Sequence, residues 1–362
     1  MFFVSKMRGN SVYVKDTSDN IEEQTSLTLV RGVQDILGVD HEDVRVFTDE
    51  ELVAYSITLQ AMLNQEKVLE VEGTTLVRCL ENEIDRVVVP YGIRTIAKSA
   101  FLSCYNLQNI EIPDTVLVIA QSAFNGCGSL QSIELPSKLK RIGNFAFKDC
   151  VNLQSIKLPD SLVTLGDLAF SGCVNLQSVR LSKGITQISN GAFSDCKTLK
   201  SIEIPVTVTK IDDNAFTNCA QLQNITIPDK VTKIGANAFT NCTQLQNVII
   251  PDSVECLGEC VFSLCSSLQS ITIPDSVFVL PYGAFAYCTK LQSIKLSNNL
   301  CSIGALAFCD CLRLKSIEIP DSVWSIDARA FSGCSNLQSI RCSKGSHAEQ
   351  YAKKYNIRVE LL

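Results

Sequence analysis

Leu107-Gln-Asn-Ile110-Glu-Ile112-Pro113-Asp-Thr-Val116-Leu-Val-Ile119-Ala-Gln-Ser-Ala123-Phe124-Asn-Gly-Cys127 decides the fold, because a close copy of it returns every 23 residues. Eleven phenylalanines hold that spacing, from Phe101 and Phe124 to Phe308 and Phe331. A cysteine follows each of them by three residues, Cys104 through Cys334, and a leucine by six, Leu107 through Leu337. No insertion or deletion disturbs the register. Such regularity is needed where one coil is stacked on the next, since each side chain must land beside its counterpart.

One coil can be read residue by residue. Leu107-x-x-Ile110-x-Ile112 alternates at period two, which predicts a short strand with both isoleucines turned inward. Pro113 ends it, having no N–H to give a ladder. Val116 and Ile119 make a second apolar segment, often closed by glycine in later coils (Gly143, Gly166, Gly235, Gly258, Gly304). Ala123, Phe124 and Cys127 fill the far side, so about eight side chains per coil face inward. Burying one such phenylalanine contributes roughly 1.5–3 kcal/mol.

Of the seventeen cysteines, eleven share one coil position. Stacking sets equivalent atoms about 4.8 Å apart with parallel Cα–Cβ directions, which keeps the Cβ atoms beyond the roughly 3.8 Å that a disulfide prefers. The expectation is a column of buried free thiols packed as small hydrophobes. Glutamine at the second coil position, in nine of eleven coils, suggests a ladder of side-chain amides bonded to one another.

The array runs from about residue 67 to 343, some twelve coils, with residues 68–77 reading as a hairpin over its first edge. At the other end Ser346 and Glu349 form a capping box, and Ala348, Tyr351, Ala352 and Tyr355 make one apolar helical face. Asn356 suits a left-handed stop, and residues 357–361 read as a last strand, so 344–362 form a helix–strand cap. Residues 1–66 do not repeat. They predict a small α/β domain, with a hairpin over 2–7 and 11–15 and helices over 25–37 and 48–64. The expected class is a repeat solenoid, mostly β, between these two ends.

At 362 residues the chain would ordinarily divide into two globular domains, but a one-dimensional array is not limited by a single core. Its formal net charge is −6. Residues 1–66 hold five basic and twelve acidic side chains, net −7, and the remainder 27 against 26, net +1. A near-neutral array lacks the basic stripe that a nucleic-acid groove needs. No stretch approaches the ~20 apolar residues of a membrane span. The start, Met1-Phe2-Phe3-Val4-Ser5-Lys6, does not read as a secretory leader, which predicts a cytoplasmic protein; a leader upstream would place it outside the cell.

Catalytic constellations are thin. The only histidines, His41 and His347, lie near opposite ends, no Cys-x-x-Cys pair occurs, and residues 1–66 contain no cysteine. No glycine-rich phosphate motif is present either. The expectation is a protein that is not an enzyme, with no cofactor and no metal.

The string Leu-x-x-Ile-x-Ile-Pro-Asp-Ser-Val-x-x-Ile-Gly-x-x-Ala-Phe-x-x-Cys, nearly intact in residues 222–242 and 314–334, resembles the bacterial-type BspA-like subclass of leucine-rich repeats. The resemblance covers about three quarters of the chain, excludes residues 1–66, and extends to the closing Gly345-Ser-His-Ala-Glu-Gln-Tyr-Ala-Lys-Lys-Tyr. It implies a curved, right-handed coil stack with a parallel sheet on its concave face. It also implies binding to proteins or host surfaces without catalysis, hence a protein or peptide partner, or an adhesin displayed on a cell. A further alternative has the array delivering residues 1–66 as a regulatory or enzymatic domain.

Two surfaces are candidates for that binding. The fifth coil position points outward and varies: Lys157, Arg180, Glu203, Thr226, Ile249, Thr272, Lys295, with charges flanking an uncharged centre. The alternative is drift among residues that suit strands. Phe278, Cys301 and Trp324 share another position in three successive coils and would stack as an apolar strip about 10 Å long, unless the C-terminal cap buries them.

Overall fold

A computed structural model describes residues 2–8, 11–16 and 68–362. Phe2–Arg8 and Ser11–Asp16 pair as an antiparallel hairpin, as the sequence suggests. The helices expected over 25–37 and 48–64 lie outside the described residues.

From residue 68 the chain winds as a parallel β solenoid with three sides per coil. The first side is a three-residue strand whose central residue is buried and whose neighbours are exposed, as in Ser201–Glu203 and Asn224–Thr226. Successive strands pair in parallel and in register, so Ile202 lies beside Ile225 and Ile225 beside Val248. The second side is a two-residue strand drawn from the Val-x-x-Ile segment, as in Lys210–Ile211 beside Lys233–Ile234. These short strands form parallel ladders of their own.

The third side is a corner, and it carries the repeat's most regular columns. Residues two before and two after each phenylalanine from Phe101 to Phe308 are left-handed, for instance Asn214 (φ 56°) and Asn218 (φ 61°) around Phe216. That alternation divides the amides between two jobs. Thr217 and Cys219 N–H bond back to Asn214 and Phe216 O within the turn. Asn214, Phe216 and Asn218 N–H reach forward to Ala236, Ala238 and Thr240 O of the next coil, each at 2.8 Å. The two sets of bonds satisfy five donors of this bend, all but Ala215: Asn214, Phe216, Thr217, Asn218 and Cys219 N–H.

The phenylalanine rings stack along this corner with centroids 5.1–5.8 Å apart and planes within 11° of parallel. That spacing exceeds the roughly 4.7–4.9 Å between hydrogen-bonded strands. The coils therefore fan out at the corner and the stack bends toward its sheet, which lies on the concave side. All seventeen cysteines are free. From Cys127 to Cys311 each repeat thiol donates to the carbonyl of the phenylalanine 26 residues earlier, Sγ to O 3.2–3.3 Å. The thiols are packed as expected, and they also hydrogen-bond.

Both ends are closed by non-repeating elements. Leu69–Glu72 and Thr75–Cys79 form an antiparallel hairpin, turned at Gly73 (φ 58°), and Thr75–Cys79 then pairs in parallel with Thr95–Ile96. At the far end Ser346 Oγ accepts from Glu349 N–H and the Glu349 carboxylate accepts from Gly345 N–H, opening the helix His347–Lys354. Ala348, Tyr351 and Ala352 are its buried face, Tyr351 covers the last phenylalanine ring, and Asn356 is left-handed (φ 54°). Arg358–Leu361 adds a parallel strand beside Ser339–Cys342.

Candidate functional site

The candidate surface is built from the outward rows of the first sheet. Each strand buries its fourth coil residue, so the third and fifth positions project from the sheet. Lys157, Arg180, Glu203, Thr226, Ile249, Thr272 and Lys295 are all exposed along one row, parallel to a row of Ser and Asn. Ile249 is 77% exposed, on the last strand of the five-stranded ladder that begins at Ser155–Lys157.

Charges at the ends of the row are partly spoken for: Arg180 meets Asp160 at 3.1 Å, Arg341 meets Glu318 at 3.4 Å and Arg86 meets Glu111 at 2.6 Å. Such exposed pairs contribute little stability. Lys157, Glu203 and Lys295 make no ion pair within 4.0 Å among the described residues. The row sets one exposed apolar side chain, Ile249, between Thr226 and Thr272, with charged residues farther along it.

The ladders lapse at a few rungs. No strand forms at 132–134, between Asn109–Glu111 and Ser155–Lys157. Both ladders also pause between the coils of Ile249 and Thr272. On the second side Pro281 explains this, since the residue there elsewhere donates to the preceding coil, as Gly258 does to Ile234 O and Gly304 to Leu280 O, both at 2.8 Å. The corner stays intact across the same seam, with Phe262 N–H on Ala284 O at 2.9 Å.

The second candidate is also assembled in space. Cys301 N–H donates to Phe278 O (2.7 Å) and Trp324 N–H to Cys301 O (3.0 Å), so the three residues stack as neighbours. The C-terminal cap leaves them uncovered: Phe278 is 52% and Trp324 69% exposed, with Cys301 between them half-buried. The glutamine column is structural in a different way from the one expected. Its rungs are joined through the backbone, as in Gln177 N–H to Gln154 O at 2.8 Å, and no bond between glutamine side chains occurs among the described residues. The amide ladder appears at the corner instead, where Asn241 donates to Asn218 and Asn218 to Asp195, at 2.9 and 2.8 Å.

The sulfur column offers no nucleophile in its interior. Burial pushes the thiols of Cys173 and Cys265 up to about 12, and those of Cys150, Cys196 and Cys242 well above their ordinary value. Sequence reasoning missed a cleft of roughly 440 Å³ at the C-terminal end, lined by Phe331, Cys334, Leu337, Tyr351, Tyr355 and Ile357. It lies where a further coil would sit if the repeat continued, and that missing coil leaves Cys334 and Leu337 half-buried.

Among the described residues no helix is long and apolar enough to cross a membrane. No curated protein matches the chain. Among solved structures it is similar to a leucine-rich repeat protein from Bacteroides ovatus, at 26% identity over 82% of this chain and 90% of that one, with a TM-score of 0.62. It is also similar to a protein described as a leucine rich cell surface protein from Faecalibacterium prausnitzii, at 27% identity over 78% and 97% of the two chains, with a TM-score of 0.47. The model of the BspA type leucine rich repeat region matches residues 94–223 and 209–338, with six copies. The chain therefore belongs to the BspA-type leucine-rich repeat proteins.

Proposed function

We propose that the protein is a non-catalytic binding module whose concave sheet engages a protein or peptide partner. Support comes from the division of labour within each coil. Inward positions repeat almost without change, while the exposed row from Lys157 to Lys295 varies and places Ile249 uncovered at its middle. A rigid sheet loses little conformational freedom on binding, so an apolar centre with polar surroundings can hold a partner without ordering costs of its own. The second reading places the contact on Phe278, Cys301 and Trp324, favoured by two large aromatic side chains left in water.

Two variants separate these readings. Thr226→Asp, Ile249→Asp and Thr272→Asp together should abolish partner capture while leaving the circular dichroism spectrum unchanged. Phe278→Ser with Trp324→Ser should leave capture intact. The opposite pattern assigns binding to the strip, and unchanged capture by both variants removes both surfaces.

A further inference from the structure

The strip on the second side differs from the rest of its column. The same slot holds Thr186, Thr209, Thr232 and Glu255 in earlier coils, then Phe278, Cys301 and Trp324. Successive rungs root the two aromatic side chains about 10 Å apart. Cys301 between them is small, and its thiol donates to Asn299 O in its own coil at 3.6 Å. A notch one rung wide is left between two large, exposed side chains. The Trp324 indole N–H makes no hydrogen bond among the described residues. One rung before Phe278, Glu255 is exposed and makes no ion pair within 4.0 Å among them.

These features choose among the forms in which a peptide can arrive. Strand addition needs an open sheet edge, and here the rungs already pair with one another, Val279 beside Ser302 and Ser302 beside Ser325. A strand also turns residues three apart, about 10 Å, to opposite faces, so both could not meet the strip. An α-helix engages its carbonyls internally and leaves none along its length for the indole N–H. A polyproline II helix repeats every three residues, about 9.3 Å, and its carbonyls stay open because it has no internal hydrogen bonds. That repeat matches the spacing from Phe278 to Trp324, and aromatic-lined surfaces are where such helices dock.

We propose that Phe278, Cys301 and Trp324 bind a proline-rich peptide in the polyproline II form, lying along the axis of the array. Prolines three residues apart pack against Phe278 and Trp324, the residues between them pass over Cys301, and a peptide carbonyl accepts the indole N–H. Glu255, about 5 Å beyond Phe278, favours a basic residue on that side and so sets the direction of the peptide. The assignment rests on the second reading above, in which this strip is a contact surface, and it names the ligand; the concave sheet takes no part in it.

Trp324 is the chain's one tryptophan, so its emission reports on the strip without a label. The test titrates the full chain with a short peptide carrying prolines three residues apart and an arginine two residues outside them. The expected result is a saturable blue shift, absent when both prolines are replaced by alanine. By anisotropy of the labelled peptide, Phe278→Ala or Trp324→Ala should weaken binding about thirtyfold. Glu255→Gln should weaken it roughly threefold and remove most of its dependence on salt. Thr226→Asp, Ile249→Asp and Thr272→Asp together should leave it unchanged. No saturable shift, an equal shift from the alanine peptide, or a larger one from an amphipathic helical peptide would overturn the proposal. So would loss of binding in the concave-sheet variant. The capture experiment above decides whether the strip binds a partner at all, so the ligand assignment can fail while that reading stands.

Discussion

The phenylalanine corner and the concave sheet come from the same 23-residue repeat, yet they tolerate change differently. At the corner the bond from phenylalanine N–H to the next coil runs unbroken from Phe101, on Ala123 O, to Phe308, on Ala330 O. On the sheet the ladder lapses at 132–134, between Ile249 and Thr272, and between Lys295 and Glu318. The corner holds the stack in register through rings, thiols and backbone at once. The sheet is consequently free to vary its outward residues, and that freedom is what a binding surface requires.

Alkaline titration should expose the largest difference between the two regions. Cys127, Cys173 and Cys265 are held at about 12 by burial, against an ordinary value of 9.0. The folded corner keeps protons that the unfolded chain releases, so its stability is full below about pH 9 and falls as pH rises toward 12. The loss approaches about 1.4 kcal/mol per pH unit for each thiol. Denaturant unfolding measured from pH 8 to 11 should therefore show a steep, cooperative decline. A flat profile would mean that the thiols are already exposed.

Single substitutions sharpen the contrast. Phe216→Ala should cost about 3–5 kcal/mol, whereas Thr226→Asp on the sheet should stay within about 0.5 kcal/mol. Equal effects in urea unfolding would erase the distinction between corner and sheet. Cys219→Ala loses both volume and the bond to Phe193 O at 3.2 Å, and should cost about 1–2 kcal/mol by the same assay. Leu264 sits left-handed (φ 61°) at an exposed corner position, so Leu264→Gly should raise the free energy of unfolding in urea by up to about 1 kcal/mol.

Much of this organisation was legible in the residues. The columns follow from spacing alone, and the end caps from local signals such as Ser346 with Glu349 and the hairpin before Ile84. The left-handed pairs around the phenylalanines from Phe101 to Phe308 were not legible, because Ser99, Phe145, Leu168, Asn214, Cys260 and Leu306 fill the same slot and share no side-chain chemistry. There the inter-coil bonds dictate the backbone and override local preference. The asparagines at 214, 218, 237 and 241 and the glycines at 126, 172, 191 and 283 hint at it. Periodicity placed Phe278, Cys301 and Trp324 in one column, but it could not say whether the cap would cover them, since that depends on the path of a non-repeating helix.

Native-state thiol labelling read by mass spectrometry tests the stacked column most directly. The partly or fully exposed Cys256, Cys260 and Cys301 should react within minutes, while the buried thiols from Cys127 to Cys311 react only as the array unfolds, all at one shared rate. Independent, rapid labelling of Cys173, Cys219 or Cys265 in the folded protein, or their recovery as disulfides, would contradict a continuous sulfur column.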